Sequence, residues 1–430
     1  MGDTDYASFD YNADPAEQTY DEETGQTWRD YLLEQAIDDL TQVTVLVHAA
    51  EAEGYTLTQK DQAYLESELA TLDSTWRSSG SYDSLSSYLK LNYGSYMDED
   101  TFQSLYADQV LADSYRQHYQ DSLTYTDEET EAYYNEHTND LDTFGYTVFT
   151  VQATVEEQTD EEGNTVEMTD EEKTAALETA KADALATAQA IQSRLTNGED
   201  AQALADEYAD ALYSSSIHTT AMGSTFSSAA YADWLYDAAR QSGDITLAEL
   251  DRSESSAYNY YVVQFDSRTR DDSATADVRH ILIGAASSGT TPTQEEFDAA
   301  EAEAQALLDQ WKAGDATEDS FAALAVQNTD DSGSQSTGGL YSGISSTDSL
   351  EPNFLNWALD PARQPGDTGI VKNESSSIQG WHIMYFVGWD DPAWEYTVKS
   401  TWKESDTSEW LASLTENVEA VHGSGLDLVS

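Results

Sequence analysis

The chain has 430 residues, and its 83 acidic and 18 basic side chains give a formal net charge of −65 at pH 7. Such a charge repels nucleic acids and anionic membranes, so DNA and RNA binding are disfavoured and cationic partners are favoured. The sequence contains no cysteine, which excludes disulfides and thiolate metal sites, and it has no run of about 18 apolar residues that could span a membrane.

The length predicts two to four domains, and apolar residues, at 39% of the chain, are sufficient to form buried cores. We expect the acidic residues 1–25 to be loosely ordered. Helical spacing of apolar residues then predicts an all-helical domain over residues 26–143. Its predicted helices are marked by Trp28–Leu46, Thr58–Trp76, Leu85–Leu89, Glu99–His118 and Thr126–His137.

After residue 143 the spacing of apolar residues changes from a helical repeat to the alternation typical of strands. Tyr146–Gln152 and Tyr258–Phe265 alternate as strands do, and Ala-rich helical patterns lie between them. We therefore predict an α+β domain over residues 144–270. The polar residues 268–277 form a linker, and five of the six prolines follow it, which supports a boundary before a further domain at 273–393.

Residues 273–393 repeat the preceding domain. Phe354-Leu-Asn-Trp357 aligns with Tyr231-Ala-Asp-Trp234, and at nearly the same offset Trp381–Phe386 aligns with Tyr260–Phe265. Such self-similarity predicts two tandem copies of one α+β unit.

Three polar residues of the second copy have apolar or aromatic counterparts in the first: His280, Asp331 and His382 correspond to Phe149, Ala211 and Tyr261. The fold is thus expected to form without these polar side chains. We infer that they serve a function rather than the stability of the domain.

The C-terminal segment, residues 394–430, contains a predicted helix over Ser408–Val421 that is too short to fold alone. Its apolar face carries Trp410, Leu411 and Leu414. We predict that this face packs on the N-terminal helices.

The second copy resembles a parvulin-type peptidyl-prolyl isomerase domain, which has an FKBP-like α+β fold. The matching phrases are His280-Ile-Leu282, Thr329-Asp-Asp331-Ser-Gly-Ser334, Gly338-Gly339, Leu350-x-x-x-Phe354 and Gly380-Trp-His382-Ile383. Two departures occur: Leu340-Tyr341-Ser342-Gly343 replaces the usual acidic-Leu-Gly phrase, and Leu350 stands where many members have Met. The resemblance implies that residues 144–270 are a degenerate copy and residues 273–393 the isomerase.

The resemblance also implies the roles of individual residues. His280, Asp331 and His382 would form a hydrogen-bonded catalytic cluster beneath the substrate amide. The predicted substrate-binding residues are Leu350 and Phe354 around the proline ring, Met384 or Ile383 behind it, and Ser377 or Gln379 as polar contacts. Because rotation about an X–Pro bond makes and breaks no covalent bond, we expect neither a cofactor nor nucleophilic attack by Asp331.

The domain order resembles that of extracytoplasmic foldases of the PrsA and SurA type. It consists of a helical module, two parvulin-like units and a C-terminal helix. That resemblance implies a chaperone for unfolded or newly exported polypeptides that contain X–Pro bonds. It also implies a secreted or surface-anchored protein, as in Gram-positive bacteria, whose signal or anchor would lie outside this sequence and would be its only link to a membrane.

Three alternatives remain open on the sequence. Two histidines and one carboxylate could bind a metal, although the ligand spacing matches no known metal motif. Both parvulin-like units could be scaffolds of a non-enzymatic holdase chaperone. The high acidity could instead belong to a structural or cation-binding surface protein.

Overall fold

The computed structural model describes residues 9–155, 158–159, 165–166, 168–252, 257–286, 289–374 and 377–421. These residues group into two compact units. The first-sheet unit comprises residues 126–274 and 391–398, and the second-sheet unit comprises residues 9–125, 275–390 and 399–421. Both units combine helices with an antiparallel sheet, so the predicted α+β multidomain class is confirmed.

The α-helices of the described residues are α1 (Trp28–Glu53), α2 (Gln59–Ser79), α3 (Leu85–Asn92), α4 (Glu99–Ser122), α5 (Asp127–Glu136), α6 (Thr138–Leu141), α7 (Asp170–Thr196), α8 (Ala201–Glu207), α9 (Ala232–Tyr236), α10 (Gln294–Ala313), α11 (Glu318–Asn328), α12 (Pro352–Ala358) and α13 (Ala393–Thr415). None of the helices in this part of the chain is both long and apolar enough to cross a membrane.

The strands are β1 (Thr19–Asp21), β2 (Gln26–Thr27), β3 (Thr143–Ala153), β4 (Gln158–Thr159), β5 (Thr165–Val166), β6 (Ser214–Met222), β7 (Ile245–Arg252), β8 (Ala257–Thr269), β9 (Ala274–Gly284), β10 (Leu340–Ile344), β11 (Thr368–Asn373) and β12 (Gly380–Pro392). The pairs β1–β2 and β4–β5 are two-stranded sheets.

The N-terminal segment is more ordered than its composition predicts. Residues 9–27 contain a short 3-10 helix and the β1–β2 hairpin. The rings of Phe9 and Tyr20 lie with their centroids 5.1 and 4.9 Å from that of Trp28, which is 1% exposed. Aromatic packing therefore orders a segment that we expected to be loose; residues 1–8 of that prediction lie outside the described residues.

Capping residues set the ends of the N-terminal helices. Thr27 and Thr58 each form a capping box, with Asp30 and Asp61 respectively. Helix α1 ends at Gly54, whose φ of 71° is the left-handed conformation that glycine adopts at low cost. The core of these helices joins α1 to α4 through Leu46, Ala50, Ala112 and Tyr115.

The C-terminal helix differs from its predicted bounds. It begins at Ala393 rather than Ser408 and ends at Thr415 rather than Val421. Trp410, Leu411 and Leu414 pack against the core formed by α1 and α4, and the Trp410 ring stacks on Tyr119 at 3.8 Å. Residues 422–430 of the predicted C-terminal segment lie outside the described residues.

One predicted boundary also differs from the grouping of the described residues. The sequence places the fifth helix, α5, in the helical domain, but α5 groups with the first-sheet unit from residue 126 onward. Within that unit the hydroxyl of Thr130 donates to Glu395 at 2.9 Å, and both side chains are buried. This long-range contact could not be read from local periodicity.

The two four-stranded sheets have the same topology. Their strand orders are β6-β3-β8-β7 and β10-β9-β12-β11, so in each sheet the first and last strands of the copy are neighbours at the centre. The pairs β3–β6, β3–β8 and β7–β8 of one sheet and β9–β10 and β11–β12 of the other are antiparallel. This shared order agrees with the repeat seen in the sequence.

Alternation along β9 and β12 divides the core of the second sheet. One face carries Ile281, Ile283 and Ile383, which pack against α10 and α11. The other face carries Val278 and Met384, which pack with Phe354 of α12. Because His280 and His382 share the strand parity of Val278 and Met384, both histidines project toward α12.

Candidate active site

The central strands β9 and β12 bring two buried histidines together. The Nδ1 atoms of His280 and His382 lie 3.0 Å apart, at hydrogen-bond distance. His280 is 2% exposed and His382 is 6% exposed. The sequence pattern predicted this pair on two apolar strands, and the neighbouring positions of those strands in the sheet explain its closeness.

The loop after α11 adds a carboxylate to the pair. Oδ2 of Asp331 lies 3.0 Å from Nε2 of His280, and Ser334 Oγ donates to the same carboxylate oxygen at 2.6 Å. The backbone N–H groups of Asp331 and Gly333 donate to Thr329 Oγ1 and Asp331 Oδ1, both at 3.2 Å. The phrase from Thr329 to Ser334 is therefore a self-bonded loop that holds Asp331 against His280.

The turn that follows requires glycine for two reasons. Gly338 and Gly339 have φ values of 68° and 73°, in the left-handed region. A Cβ on Gly339 would lie 2.0 Å from the carbonyl oxygen of His280. Glycine permits this approach, and the His280 N–H donates to Gly339 O at 2.8 Å, which ties the loop to the strand.

Tyr341 is a site residue that the sequence did not single out. Its hydroxyl lies 3.3 Å from Asp331 Oδ2, and its ring meets His280 edge-on with centroids 5.1 Å apart. The only signal was that Tyr341 belongs to the phrase that departs from the parvulin pattern. The departure places a phenol in contact with the cluster.

An apolar wall from α12 and the residues before it covers the cluster. The Phe354 ring lies 5.4 Å from the ring of His280 and 5.2 Å from that of His382. Glu351 caps α12 by accepting the Phe354 N–H at 2.9 Å, which fixes the start of the helix. Between the wall and the cluster lies a cavity of about 240 Å³.

The cavity gathers most, but not all, of the predicted site residues. His280, Asp331, His382, Leu350, Phe354 and Ser377 all line it. Met384 is fully buried in the core that contains Phe354 and does not reach the cavity wall. The Gln379 amide donates to the carbonyl oxygen of Glu374 at 2.8 Å and also lies away from the wall.

Several lining residues were not predicted: Leu282, Tyr341, Ser349, Glu351, Asn373 and Ile378. Most of them come from loops or strand ends, where no periodic pattern marks the inward side. Asn373 is 1% exposed, and its amide donates to the carbonyl oxygen of Ile378 at 2.9 Å. That bond fixes one rim of the cavity.

Burial and hydrogen bonds shift the pKa values of Asp331, His382 and Tyr341. The bond from His280, together with that from Ser334, holds the pKa of the Asp331 carboxyl well below its usual range even though partial burial opposes this. Burial, followed by repulsion from a protonated His280, lowers the pKa of His382 to about 3. Burial raises the pKa of Tyr341, and the nearby Asp331 carboxylate raises it further.

These shifts define a directional hydrogen-bond chain at neutral pH. Ionised Asp331 can only accept, so Nε2 of His280 carries the hydrogen that points to it. In the tautomer that donates from Nε2, the Nδ1 atom of His280 accepts from the Nδ1–H of His382. We assign the tautomers from this bonding pattern.

The corresponding positions of the first copy contain no such chain. Phe149, which the sequence aligned with His280, lies on the opposite strand face, in the core packed against α7, so that correspondence is wrong. On the face equivalent to that of His280, β3 carries Val148, which is buried in an apolar core, and Tyr261 packs edge-on against Tyr231 with centroids 5.4 Å apart. Within the described residues as a whole, no group of three or more His, Asp or Glu side chains is arranged to hold a metal ion.

Comparison with known proteins supports the resemblance inferred from the motifs. Residues 260–386 match the family model of the PPIC-type PPIase domain, a range that contains all the lining residues of the cavity. The match confirms the resemblance to parvulin-type isomerases over this part of the chain. No curated protein sequence matches the chain.

Two solved structures of peptidylprolyl isomerases named PrsA are among those similar to the chain. The structure from Bacillus anthracis is 19% identical, with a TM-score of 0.21, and the match covers 35% of this chain and 64% of that one. The structure from Bacillus cereus is 12% identical, with a TM-score of 0.23, and the match covers 64% of this chain and all of that one.

Proposed function

We propose that this chain is a peptidyl-prolyl cis-trans isomerase whose active site is the cavity lined by His280, Asp331 and His382. The observation that carries the proposal is the continuous hydrogen-bond chain through these three residues, directly beneath the Phe354 ring. A small apolar wall beside an ordered polar cluster suits a proline ring joined to an amide.

Catalysis of this reaction requires the site to stabilise the twisted X–Pro amide. Rotation about an X–Pro bond faces a barrier of about 18–20 kcal/mol because amide resonance must be broken. Leu350 and Phe354 would hold the ring while the X–Pro carbonyl turns over the cluster. A site arranged in advance for the charge distribution of the twisted amide lowers the barrier without any covalent step.

Asp331 is proposed to act through its charge and not as a nucleophile. Its Oδ2 atom lies within hydrogen-bond distance of His280, Ser334 and Tyr341, and the bonds from His280 and Ser334 lower the pKa of the carboxyl. An oxygen held by this many donors is a weak nucleophile. Its field would orient His280 and, through that ring, His382.

Activity is proposed for the second copy alone. Its cluster has no counterpart in the first copy, where Val148 and Tyr261 occupy the corresponding strand face and cannot form the same bonds. We propose that residues 144–270 act as a scaffold and that the isomerase lies at 273–393.

The direct test is an isomerisation assay on the full chain with a fluorescent Ala-Pro tetrapeptide. We expect acceleration by the wild type and its loss in His280→Ala, Asp331→Ala and His382→Ala. His218→Ala is a matched control because His218 is exposed and lies in the first copy. No acceleration by the wild type, or full activity in all three variants, would refute the proposal.

A chaperone role is proposed beside the isomerase. Leu40, Val43, Val47 and Leu105 line a groove of about 370 Å³ between α1 and α4, and Leu40 and Leu105 are exposed. Unfolded polypeptides could make tolerant apolar contacts there. By the PrsA and SurA resemblance we propose newly exported clients and a location outside the cytoplasm.

The groove also favours the alternative of a holdase without isomerase activity. That alternative predicts suppression of aggregation of a heat-unfolded model enzyme by the wild type and equally by His280→Ala. It further predicts that Leu40→Asp and Leu105→Asp weaken the suppression. The peptide assay then separates a holdase alone from a holdase that also isomerises.

A further inference from the structure

The loop that carries Asp331 is held by a cation from its own sheet. We call residues 329–339 the catalytic loop. The guanidinium of Arg279 donates from Nη1 to the carbonyl oxygens of Thr337 and Gly338 at 2.7 and 3.2 Å. Arg279 precedes His280 on β9, so these bonds tie the loop to the strand that carries the first histidine.

A second cation reaches the same loop from the helical module. The Nζ atom of Lys60, in α2, donates to the carbonyl oxygen of Ser336 at 3.2 Å. Three consecutive carbonyl oxygens, those of Ser336, Thr337 and Gly338, thus accept hydrogen bonds from two basic side chains. These are Lys60 and Arg279. In a chain with 18 basic and 83 acidic residues, this concentration of cations on one short loop is notable.

Lys60 is held in place by a buried carboxylate. Its ammonium lies 2.7 Å from Oδ1 of Asp61, which is 3% exposed. The other oxygen of Asp61 accepts from the hydroxyls of Thr58 and Ser114 at 2.5 and 2.6 Å. Because Ser114 belongs to α4, the position of the ammonium is tied to the packing of the helical module.

Packing between α2 and α11 brings this cation to the loop. Ala63 and Tyr64 of α2 contact Ala323 and Val326 of α11. The catalytic loop begins where α11 ends, and Gln335 donates back to the carbonyl oxygen of Val326 at 2.9 Å. The same helix pair therefore fixes both the start of the loop and the approach of Lys60.

We propose that Lys60 is a positioning residue for the isomerase site, supplied by the helical module. Ser336 lies two residues from Ser334, and the Thr337 hydroxyl donates to the carbonyl oxygen of Ser334 at 2.8 Å. Ser334 in turn bonds Asp331. Loss of the Lys60 bond would loosen the loop and shift Asp331 relative to His280. The catalytic consequence rests on the proposed function, whereas the coupling itself does not.

The test compares three variants of the full chain. Lys60→Met removes the donor and keeps the apolar stem, and Lys60→Arg keeps a donor. Lys312→Met makes the same charge change on α10, at an exposed position of the isomerase domain. The measurements are kcat/KM and its pH profile in the peptide assay, together with the ¹⁵N chemical shifts of the His280 and His382 rings.

We expect Lys60→Met to lower kcat/KM by about tenfold, because a small misplacement of a catalytic group is costly. We also expect it to shift the pH profile and the two ring signals, while Lys60→Arg restores both and Lys312→Met changes neither. Unchanged ring signals and unchanged kcat/KM in Lys60→Met would overturn the coupling. If the wild type accelerates no peptide, the proposed function fails, and the ring signals alone still decide whether Lys60 positions the loop.

Discussion

Nε2 of His280 lies 3.0 Å from Oδ2 of Asp331, and this contact joins the buried histidine pair to the catalytic loop. The resulting hydrogen-bond chain runs from the ionised carboxylate of Asp331 through His280 to the ring of His382. The contact therefore fixes the tautomer of His280 and holds the negative charge of Asp331 at the cavity.

Asp331→Asn keeps the size of the side chain and removes its charge. An amide can still accept from His280 but no longer supplies a negative charge beneath the substrate amide. We expect kcat/KM for an Ala-Pro peptide to fall by about 100-fold, the scale seen when one preorganised electrostatic contact is lost. The neighbouring Asp330→Asn is the control, because Asp330 bonds the Gly284 N–H and does not line the cavity. Equal activity of the two variants would contradict the role assigned to Asp331.

The hydrogen-bond chain should make the second-sheet unit sensitive to acid. Burial lowers the pKa of His382 to about 3, below the ordinary value of 6.5 for an unfolded chain. The unfolded state therefore binds the proton first, so the stability contributed by neutral His382 is complete above pH 6.5 and is lost as the pH falls. The lowered pKa of Asp331 acts in the same direction at lower pH.

Hydrogen exchange of peptides from β9 and β12 measures this effect without assuming a single unfolding step for a multidomain chain. We expect protection to decrease between pH 6.5 and 4. His382→Gln should show a smaller decrease, because its side chain does not titrate. An identical pH dependence in the wild type and in His382→Gln would show that the acid response arises elsewhere.

The sequence predicted His280, Asp331 and His382 because each lies in a short segment whose residue pattern is typical of a strand or a turn. His280 and His382 lie in alternating apolar strands, and Asp331 lies in a run of small polar residues before Gly338 and Gly339. Such local patterns fix strand parity. The positions of β9 and β12 at the centre of the sheet then bring the two rings together.

Other features could not be predicted, because they depend on long-range packing. Glu351 and Asn373 reach the cavity from the start of a helix and the end of a strand, where the backbone path is set by tertiary contacts. Helix α13 begins at Ala393 rather than at the predicted Ser408, because Ala393 and Trp394 occupy buried positions. The hairpin after residue 18 depends on aromatic contacts with Trp28.

Asp277 is expected to reduce the stability of its unit at neutral pH. Burial, followed by repulsion from Asp390 and Glu318, raises its pKa to about 6, although a bond from the Gly343 N–H opposes the shift. For a raised carboxyl pKa the folded state holds the proton longer. Stability is therefore highest below about pH 4 and decreases as the pH rises through 6.

Asp277→Asn should remove that pH-dependent cost and keep an acceptor for the Gly343 N–H. We expect greater protection of β9 and β10 amides from exchange at pH 7.5, and a much smaller difference at pH 4. Asp298→Asn, an exposed carboxylate on α10, is the control for the change in net charge. Lower protection in Asp277→Asn at pH 7.5 would show that the carboxylate stabilises the sheet.

The negative charge of the cavity should make the isomerase prefer peptides with a cationic residue beside the proline over peptides with an acidic one. Among the described residues that line the cavity, Asp331 and Glu351 are acidic and none is a lysine or an arginine. Glu351 is half-buried, so its field is screened less than that of a surface carboxylate. A cationic side chain beside the proline is therefore attracted, and an acidic one is repelled.

We expect kcat/KM for Lys-Pro and Arg-Pro peptides to exceed that for Glu-Pro by about tenfold at low salt, with the ratio falling as ionic strength rises. Glu351→Gln should reduce the ratio and keep the α12 cap, because the amide oxygen can still accept the Phe354 N–H. Glu303→Gln, on the exposed side of α10, should leave the ratio unchanged. An equal preference in the wild type and Glu351→Gln would assign the selectivity to Asp331 or to the overall charge of the chain.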